Sequence, residues 1–235
     1  MQTAAASHAA PRTGNSLIDA LDESERNLLL AVTRQVRLDA EESIYEFDDT
    51  IQHVYFPLDT VFSTCSLMED GSSAEIALTG RDGVVGISAA FDAQNSRNWT
   101  SALIAGRALR LEISLLQNLL RDNDNLRLAF FDFYRRLMTQ ISQRAVCNGR
   151  HTLLQRFCFW LLLVHDRAEN DEISLTHEII ARKLGARRAG ITNIAGSLQE
   201  TGAITYSRGM IRVQSRKLLE REVCECYGAI KPFIN

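Results

Sequence analysis

The stretch LTHEIIARKLGARRAGITNIAGSLQETGAITYSRGMIRV, residues 175–213, decides how the rest of the chain is read. Thr176 has a side chain that caps helices and Gly185 can close one in the left-handed conformation, so a helix is predicted over His177–Leu184. After a turn of a few residues, a second helix is predicted over about 187–200, with Ile191, Ile194, Ala195 and Leu198 on its inward face. Its opposite face then carries Arg188, Ala189, Thr192, Asn193 and Gly196, which are small, polar or basic. Ala203–Tyr206 and Met210–Val213 flank the turn Ser207-Arg208-Gly209 and read as a β-hairpin. Two short helices around a Gly-containing turn, followed by a hairpin wing, fit a winged helix-turn-helix.

Charge is distributed accordingly. The 235 residues hold 26 Lys+Arg against 29 Asp+Glu, a net −3 that would discourage a polyanion partner. Residues 1–143, however, carry 12 basic and 20 acidic side chains, and residues 144–235 carry 14 and 9. Between Ser174 and Lys217 eight basic residues face only Glu178 and Glu200. The average hides an acidic half beside a basic one. A protruding helix with cations around it suits a duplex, because cations neutralise phosphates and the helix enters the major groove.

Upstream, Ser16–Val36 reads as helical, from Leu17, Ile18, Leu21, Leu28, Leu29 and Val32. From Val36 to about Leu111, short Val/Ile/Tyr/Phe/Thr-rich segments alternate with turns such as Asp48-Asp49, Glu69-Asp70-Gly71 and Gly80-Arg81-Asp82-Gly83, which implies an all-β roll, sandwich or barrel. Helical periodicity returns at Ile113. Leu126, Phe130, Phe133, Leu137, Ile141 and Ala145 form one stripe with coiled-coil spacing, and Phe131, Tyr134 and Met138 widen it. That helix is expected to touch both its own β domain and a second subunit. A break is predicted at Asn148-Gly149, then an apolar helix over Leu153–Val164 and a polar loop over Asp166–Asp171.

The composition, 46% hydrophobic and 23% charged, excludes collagen-like and broadly disordered classes. No apolar run approaches the roughly 20 residues that span a bilayer, and the first fifteen residues lack the apolar core of a signal peptide. Five scattered cysteines, Cys65, Cys147, Cys158, Cys224 and Cys226, suit free thiols and a cytoplasmic protein without membrane partners. His53 is the only histidine between Val36 and Leu111, so no metal triad or cupin-like enzyme can be built there, and no catalytic residues are expected. His53 itself reads as structural. Cys147 and His151 stand four apart on a helix and could share a metal, but without a second matched pair no metal site is predicted. Cys224 and Cys226 read as incidental to a chain end.

In the order of its elements the chain resembles the Crp/Fnr superfamily of bacterial transcription regulators. The resemblance runs from about Leu17 to Tyr227 and is carried by Ile51–Pro57, Met68-Glu69-Asp70-Gly71, Gly80–Gly86, Leu175–Glu178, Leu184–Arg188, Tyr206–Gly209 and Cys224-Glu225-Cys226-Tyr227. It implies an α+β protein: a flexible tail (1–15), a cyclic-nucleotide-binding-like sensory domain built as a jelly-roll-like double-stranded β-helix (16–115), a dimerisation helix (116–148) and a winged helix-turn-helix (149–235). Expected partners are double-stranded DNA carrying an inverted repeat, a second copy of the chain, and RNA polymerase. By this resemblance Arg188, Ala189, Thr192 and Asn193 would face base edges, and Thr176, Lys183, Arg187 and Arg208 would face phosphates.

Departures from the family matter too. Where cyclic-AMP-binding members carry Gly-Glu and Arg-Ser or Arg-Thr, this chain has Gly86-Ile87 and Asn98-Trp99, with Arg97 one residue from the expected cation. The carboxylate for the ribose and the cation for the cyclic phosphate are missing, which argues against cyclic AMP and leaves a regulator that senses an unidentified signal or acts without a ligand. Gly86, Ile87, Arg97, Asn98 and Trp99 remain as a candidate ligand pocket. The first cysteine is Cys65, too late for an N-terminal iron–sulfur cluster, and no cofactor is expected. In the second helix, Ala189 and Asn193 stand where the family commonly has Glu and a second Arg. Asn reads adenine and Ala can touch only a thymine methyl, so an altered half-site is predicted. A small-molecule-binding module with vestigial DNA binding stays open as the alternative.

Overall fold

The computed structural model describes residues 12–91, 95–168 and 170–234. Of the expected tail, residues 1–11 lie outside the described ones, while 13–15 are fixed in place. Asn15 is fully buried, caps α1 (Ser16–Asp19) and donates its amide to the carbonyls of Pro57 and Gly83, each at 2.9 Å. The single helix expected over Ser16–Val36 is divided. After α1 comes α2 (Glu23–Ala31), and from Arg34 the chain is already strand. Backbone pairing with a distant strand overrides the local apolar spacing there.

That strand, β1 (Arg34–Leu38), is followed by β2 (Ser43–Tyr45), β3 (His53–Pro57), β4 (Val61–Leu67), β5 (Ser73–Thr79), the turn of helix α3 (Ile87–Ala90), β6 (Trp99–Ile104) and β7 (Gly106–Glu112). All pair antiparallel in two sheets, ordered β1-β7-β3 and β2-β6-β4-β5. Leu38, Tyr45, Phe62, Ala102 and Ala108 are buried between the sheets, while Val54, Phe56 and Leu111 on the opposite face of one sheet pack against the helices, as alternation along the strands requires.

Two helices follow, α4 (Ile113–Asp122) and the 27-residue α5 (Asp124–Arg150). Helix α5 runs through the predicted break at Asn148-Gly149. The chain turns instead at His151-Thr152, where Thr152 and Gln155 form a capping box that starts α6 (Leu153–His165). Eight consecutive residues of α6, Phe157–Val164, are buried. A helix apolar all round must be covered on every side. Helix α6 meets that need by lying between the C-terminal domain and the β roll, whose Val61, Leu78 and Leu103 share its core.

The C-terminal domain continues with β8 (Glu172–Ser174), α7 (His177–Leu184), α8 (Arg188–Glu200), β9 (Ile204–Ser207), β10 (Met210–Val213), α9 (Arg216–Glu222) and α10 (Cys226–Ile230). The hairpin β9–β10 is as predicted, but β8, from the segment bordering the expected loop, adds a third strand beside β10.

The domains are locked by charge as well as by apolar contact. Arg167, just past α6, grips the Asp82 carboxylate with two hydrogen bonds of 3.0 and 2.7 Å, and the pair is nearly fully buried. Gly80 is required there: a Cβ on it would stand 2.7 Å from Arg167 Cβ. At Gly83 a Cβ would strike the Phe133 ring of α5. Gln140 of α5 exchanges two 3.1 Å hydrogen bonds with the backbone of Leu78, which satisfies the open edge of β5.

Candidate nucleic-acid interface

Helix α7 is built as its sequence implies. The Thr176 hydroxyl accepts from Ile179 N at 3.2 Å, and Gly185 closes the helix at φ 57°. Its face is nevertheless turned inward, onto β5. Lys183, expected at a phosphate, is 3% exposed, with Nζ 3.5 Å from Cys65 Sγ. This corrects the expectation. Its charge faces Glu75 of β5, a fully buried carboxylate that also accepts from Ser63 Oγ at 2.6 Å and Trp160 Nε1 at 2.7 Å. Arg144 of α5 approaches that carboxylate to 3.2 Å, without the alignment of a hydrogen bond. Burial pushes the Glu75 carboxyl up, against the pull of Arg144 and Lys183. Arg182 is also engaged, in an ion pair with Glu41 of the β roll.

Helix α8 is the opposite case. Ile191, Ala195 and Leu198 are buried and Ile194 is half-buried, as the periodicity required. Arg187, Arg188, Ala189, Thr192 and Asn193 are exposed together on the outer face. Thr176 stands exposed at one end, and Arg208 is exposed at the tip of the wing with φ 50°. Among the described residues Arg187, Arg188 and Arg208 enter no ion pair, whereas Arg212 pairs with Glu172 and Arg216 with Asp166. The unpaired cations of the segment are thus narrowed to the outer face of α8, the wing tip and the exposed Lys217 of α9.

The two helices are registered by His177, a residue that spacing did not single out. Its ring stacks on Tyr206 of the wing at 3.9 Å, and its Nδ1 lies 3.0 Å from the Thr192 hydroxyl. That hydroxyl donates to the Arg188 carbonyl at 3.1 Å, so His177 Nδ1 must be the donor to it. The Thr192 hydroxyl is therefore engaged, and its methyl is the group left for a base. Burial, and then the Arg188 charge, lower the His177 pKa, which favours the neutral ring.

The helix pair, its Gly-closed turn and the three-stranded wing are matched by the family model described as "Crp-like helix-turn-helix domain", over residues 155–222. Residues 155–222 are thus similar to a Crp-like helix-turn-helix domain. The rest of the fold agrees with this Crp-like match. The structure of FixK2 from Bradyrhizobium japonicum superposes with a TM-score of 0.71 at 18% identity, covering 82% of this chain and 98% of that one. A Crp-family transcriptional regulator of Thermus thermophilus gives 0.67 at 19%, covering 80% and 95%. The c-di-GMP-responsive global regulator CLP of Xanthomonas campestris gives 0.65 at 13%, covering 83% and 100%. The chain has the Crp/Fnr fold. No curated protein matches it by sequence.

The β roll bears the second feature of interest, a cavity of about 250 Å³. Gly86, Ile87, Arg97 and Asn98 line it as expected, but Trp99 does not; its Nε1 instead donates to Ser43 Oγ at 2.8 Å. The rest of the wall includes Thr64, Thr79, Ser88 and Thr100, and helix α5 closes it with Tyr134, Leu137, Met138 and Ile141. Among the described residues Arg97 is the only cation in this lining, and it lies exposed, 3.8 Å from Asp48. His53 sits half-buried in β3 as a structural residue; its carbonyl accepts the Tyr45 hydroxyl.

Along α5 the apolar stripe divides by face. Leu126, Phe130 and Phe133, expected at a subunit interface, are buried inside the protomer against Val54, Phe56 and Leu116. Leu137 and Ile141 are half-buried at the cavity, and Ala145 is exposed. The exposed seam is Leu128, Phe131, Met138 and Ala145, with Arg135 and Ser142 between them, at alternating steps of three and four. The alternation was present in the sequence, but two seams one residue apart cannot be ranked without knowing which covers the roll. Among the described residues no helix is long and apolar enough to cross a membrane. Cys147 and His151 do acquire a second pair of donors: Cys224 and Cys226 close on them from the C-terminal end.

Proposed function

We propose that the protein is a sequence-specific transcription regulator that binds an inverted-repeat operator as a homodimer. The observation that carries this reading is the outer face of α8, where Arg188, Ala189, Thr192 and Asn193 stand exposed between the flanking cations Arg187 and Arg208. Arg188 suits guanine O6 and N7, Asn193 suits adenine N6 and N7, and Ala189 with the Thr192 methyl suits thymine. Thr176, Arg187 and Arg208 face the phosphates; Lys183 does not. Two copies join through the Leu128–Phe131–Met138–Ala145 seam, which sets the two recognition helices on one side at half-site spacing. RNA polymerase is a further partner if the regulator activates transcription.

Helix α5 forms one wall of the sensory cavity and carries the dimer seam on its neighbouring face, so a molecule in the cavity touches the element that orients both recognition helices. Among the described residues the cavity's wall is neutral apart from Arg97, which Asp48 already faces, and this supports an uncharged effector over a cyclic phosphate. The function is tested by sequencing duplexes selected by the purified protein from a random pool. Enrichment of an inverted repeat by the wild type, relaxed at one symmetric position in R188A, supports it. Retention of all duplexes alike, lost uniformly with salt, overturns it. Calorimetric titration showing micromolar affinity for cyclic AMP would overturn the effector assignment alone.

A further inference from the structure

Three cysteines and a histidine, distant in sequence, meet where α5 ends and α6 begins. Cys147 lies one helical turn before His151, the extended residue (φ −106°, ψ 152°) on which α5 stops. Cys224 and Cys226 bracket the entrance to α10. The four donor atoms all lie within 4.8 Å of one another. Cys147 Sγ is 3.6 Å from Cys224 Sγ, and Cys226 Sγ is 3.5 Å from His151 Nδ1. All three cysteines are buried, and none is in a disulfide.

We propose that Cys147, His151, Cys224 and Cys226 bind one tetrahedral divalent cation of the zinc class. Zn–S bonds of about 2.3 Å and a Zn–N bond of about 2.0–2.1 Å place donors at tetrahedral corners roughly 3.5–3.8 Å apart. The two measured edges agree with that spacing. A multi-iron cluster needs a wider cage. A Cys147–Cys224 disulfide would use one edge and leave the other two donors unexplained.

The surroundings complete the site. His151 turns Nδ1 toward the donors and places Nε2 3.3 Å from the Glu225 carboxylate, the carboxylate–histidine pairing that orients a metal-bound imidazole. Gln143 Nε2 donates to Cys226 Sγ at 3.1 Å, as an N–H does to a thiolate ligand. Four protein donors leave no open position, so the site is structural. The ion would tie together the two ends of the segment from His151 to Cys224, which contains the whole helix-turn-helix, and would fix the joint at which α5 hands over to it.

The full-length chain, purified under reducing conditions, is to be analysed for metal, and the metal-stripped protein titrated with cobalt(II). One zinc per chain is expected, released stoichiometrically by a mercurial. Cobalt is expected to give the strong thiolate charge-transfer band and visible bands of a tetrahedral centre. C147S and H151A should lose these signals, C65S should keep them, and E225Q should bind zinc about 10–100-fold more weakly. Because the cobalt spectrum is read on the wild type, a variant that fails to fold does not decide the matter. A folded, reduced wild type that carries no metal and gives no tetrahedral cobalt spectrum overturns the site, as does the same spectrum persisting in a folded C147S/C226S double variant.

Discussion

Helices α7 and α8 are the two halves of one helix-turn-helix, and each carries two basic residues within or beside it, yet the fold uses them in opposite ways. In α7, Arg182 pairs with Glu41 and Lys183 is buried toward Glu75, so its cations hold the Crp-like domain on the β roll. In α8, Arg187 and Arg188 are exposed with no ion-pair partner among the described residues. Two similar local charges thus do different work because one helix face packs on a sheet and the other packs on nothing. A basic stretch does not define an interface until the acidic residues facing it are known.

The sharpest way to break this contrast is to remove the acid that α7 faces. E75A leaves Arg144 and Lys183 buried without their carboxylate and is expected to cost about 3–5 kcal/mol of stability, read from urea midpoints. If the cost is below about 1 kcal/mol, the buried network does not hold the domains. Next in size, R188A is expected to cost about 1–3 kcal/mol in operator affinity and to relax one base position, with unchanged thermal stability. A footprint identical to wild type would remove Arg188 from the base-reading face. A smaller, more discriminating effect separates the two helices directly. R187A should weaken binding to all duplexes and reduce the slope of log affinity against log salt by about one, while K183M should lower stability and leave that slope alone. Equal slopes for the two variants would erase the distinction.

The smallest expected effect is on pH. Burial lowers the pKa of both His177 and His53 below the ordinary histidine value of 6.5. Between the lowered native values and 6.5 the unfolded chain binds more protons, so stability is full above that range and is lost as pH falls through it. Thermal melting from pH 7.5 downward should show this decline, and H177Q should show less of it. A decline of the same steepness in H177Q would show that His177 does not contribute.

Much of the proposed DNA-binding face was legible in the sequence because its signals are local. A hydroxyl at Thr176, a left-handed glycine at Gly185 and an apolar period of 3.6 residues each act within one or two turns, and the structure reproduces α7, α8 and the wing from them. The errors lie where packing between distant segments decides. Lys183 reads as a solvated cation until β5 is placed against it. Leu126, Phe130 and Phe133 read as a subunit seam until the β roll covers them. Residues 34–36 read as helix until β7 offers a ladder to pair with.

The sequence by itself determined the order of elements, the winged helix-turn-helix and the residues on its outer face, because hydrophobic period, capping and turn chemistry are properties of neighbouring residues. Only the tertiary structure decided which face of α5 is free, which cations are spent within the protomer, and that Cys147 and His151 meet Cys224 and Cys226 across more than seventy residues. Those outcomes depend on which surfaces bury one another, and burial is set by the whole chain and not by any window of it.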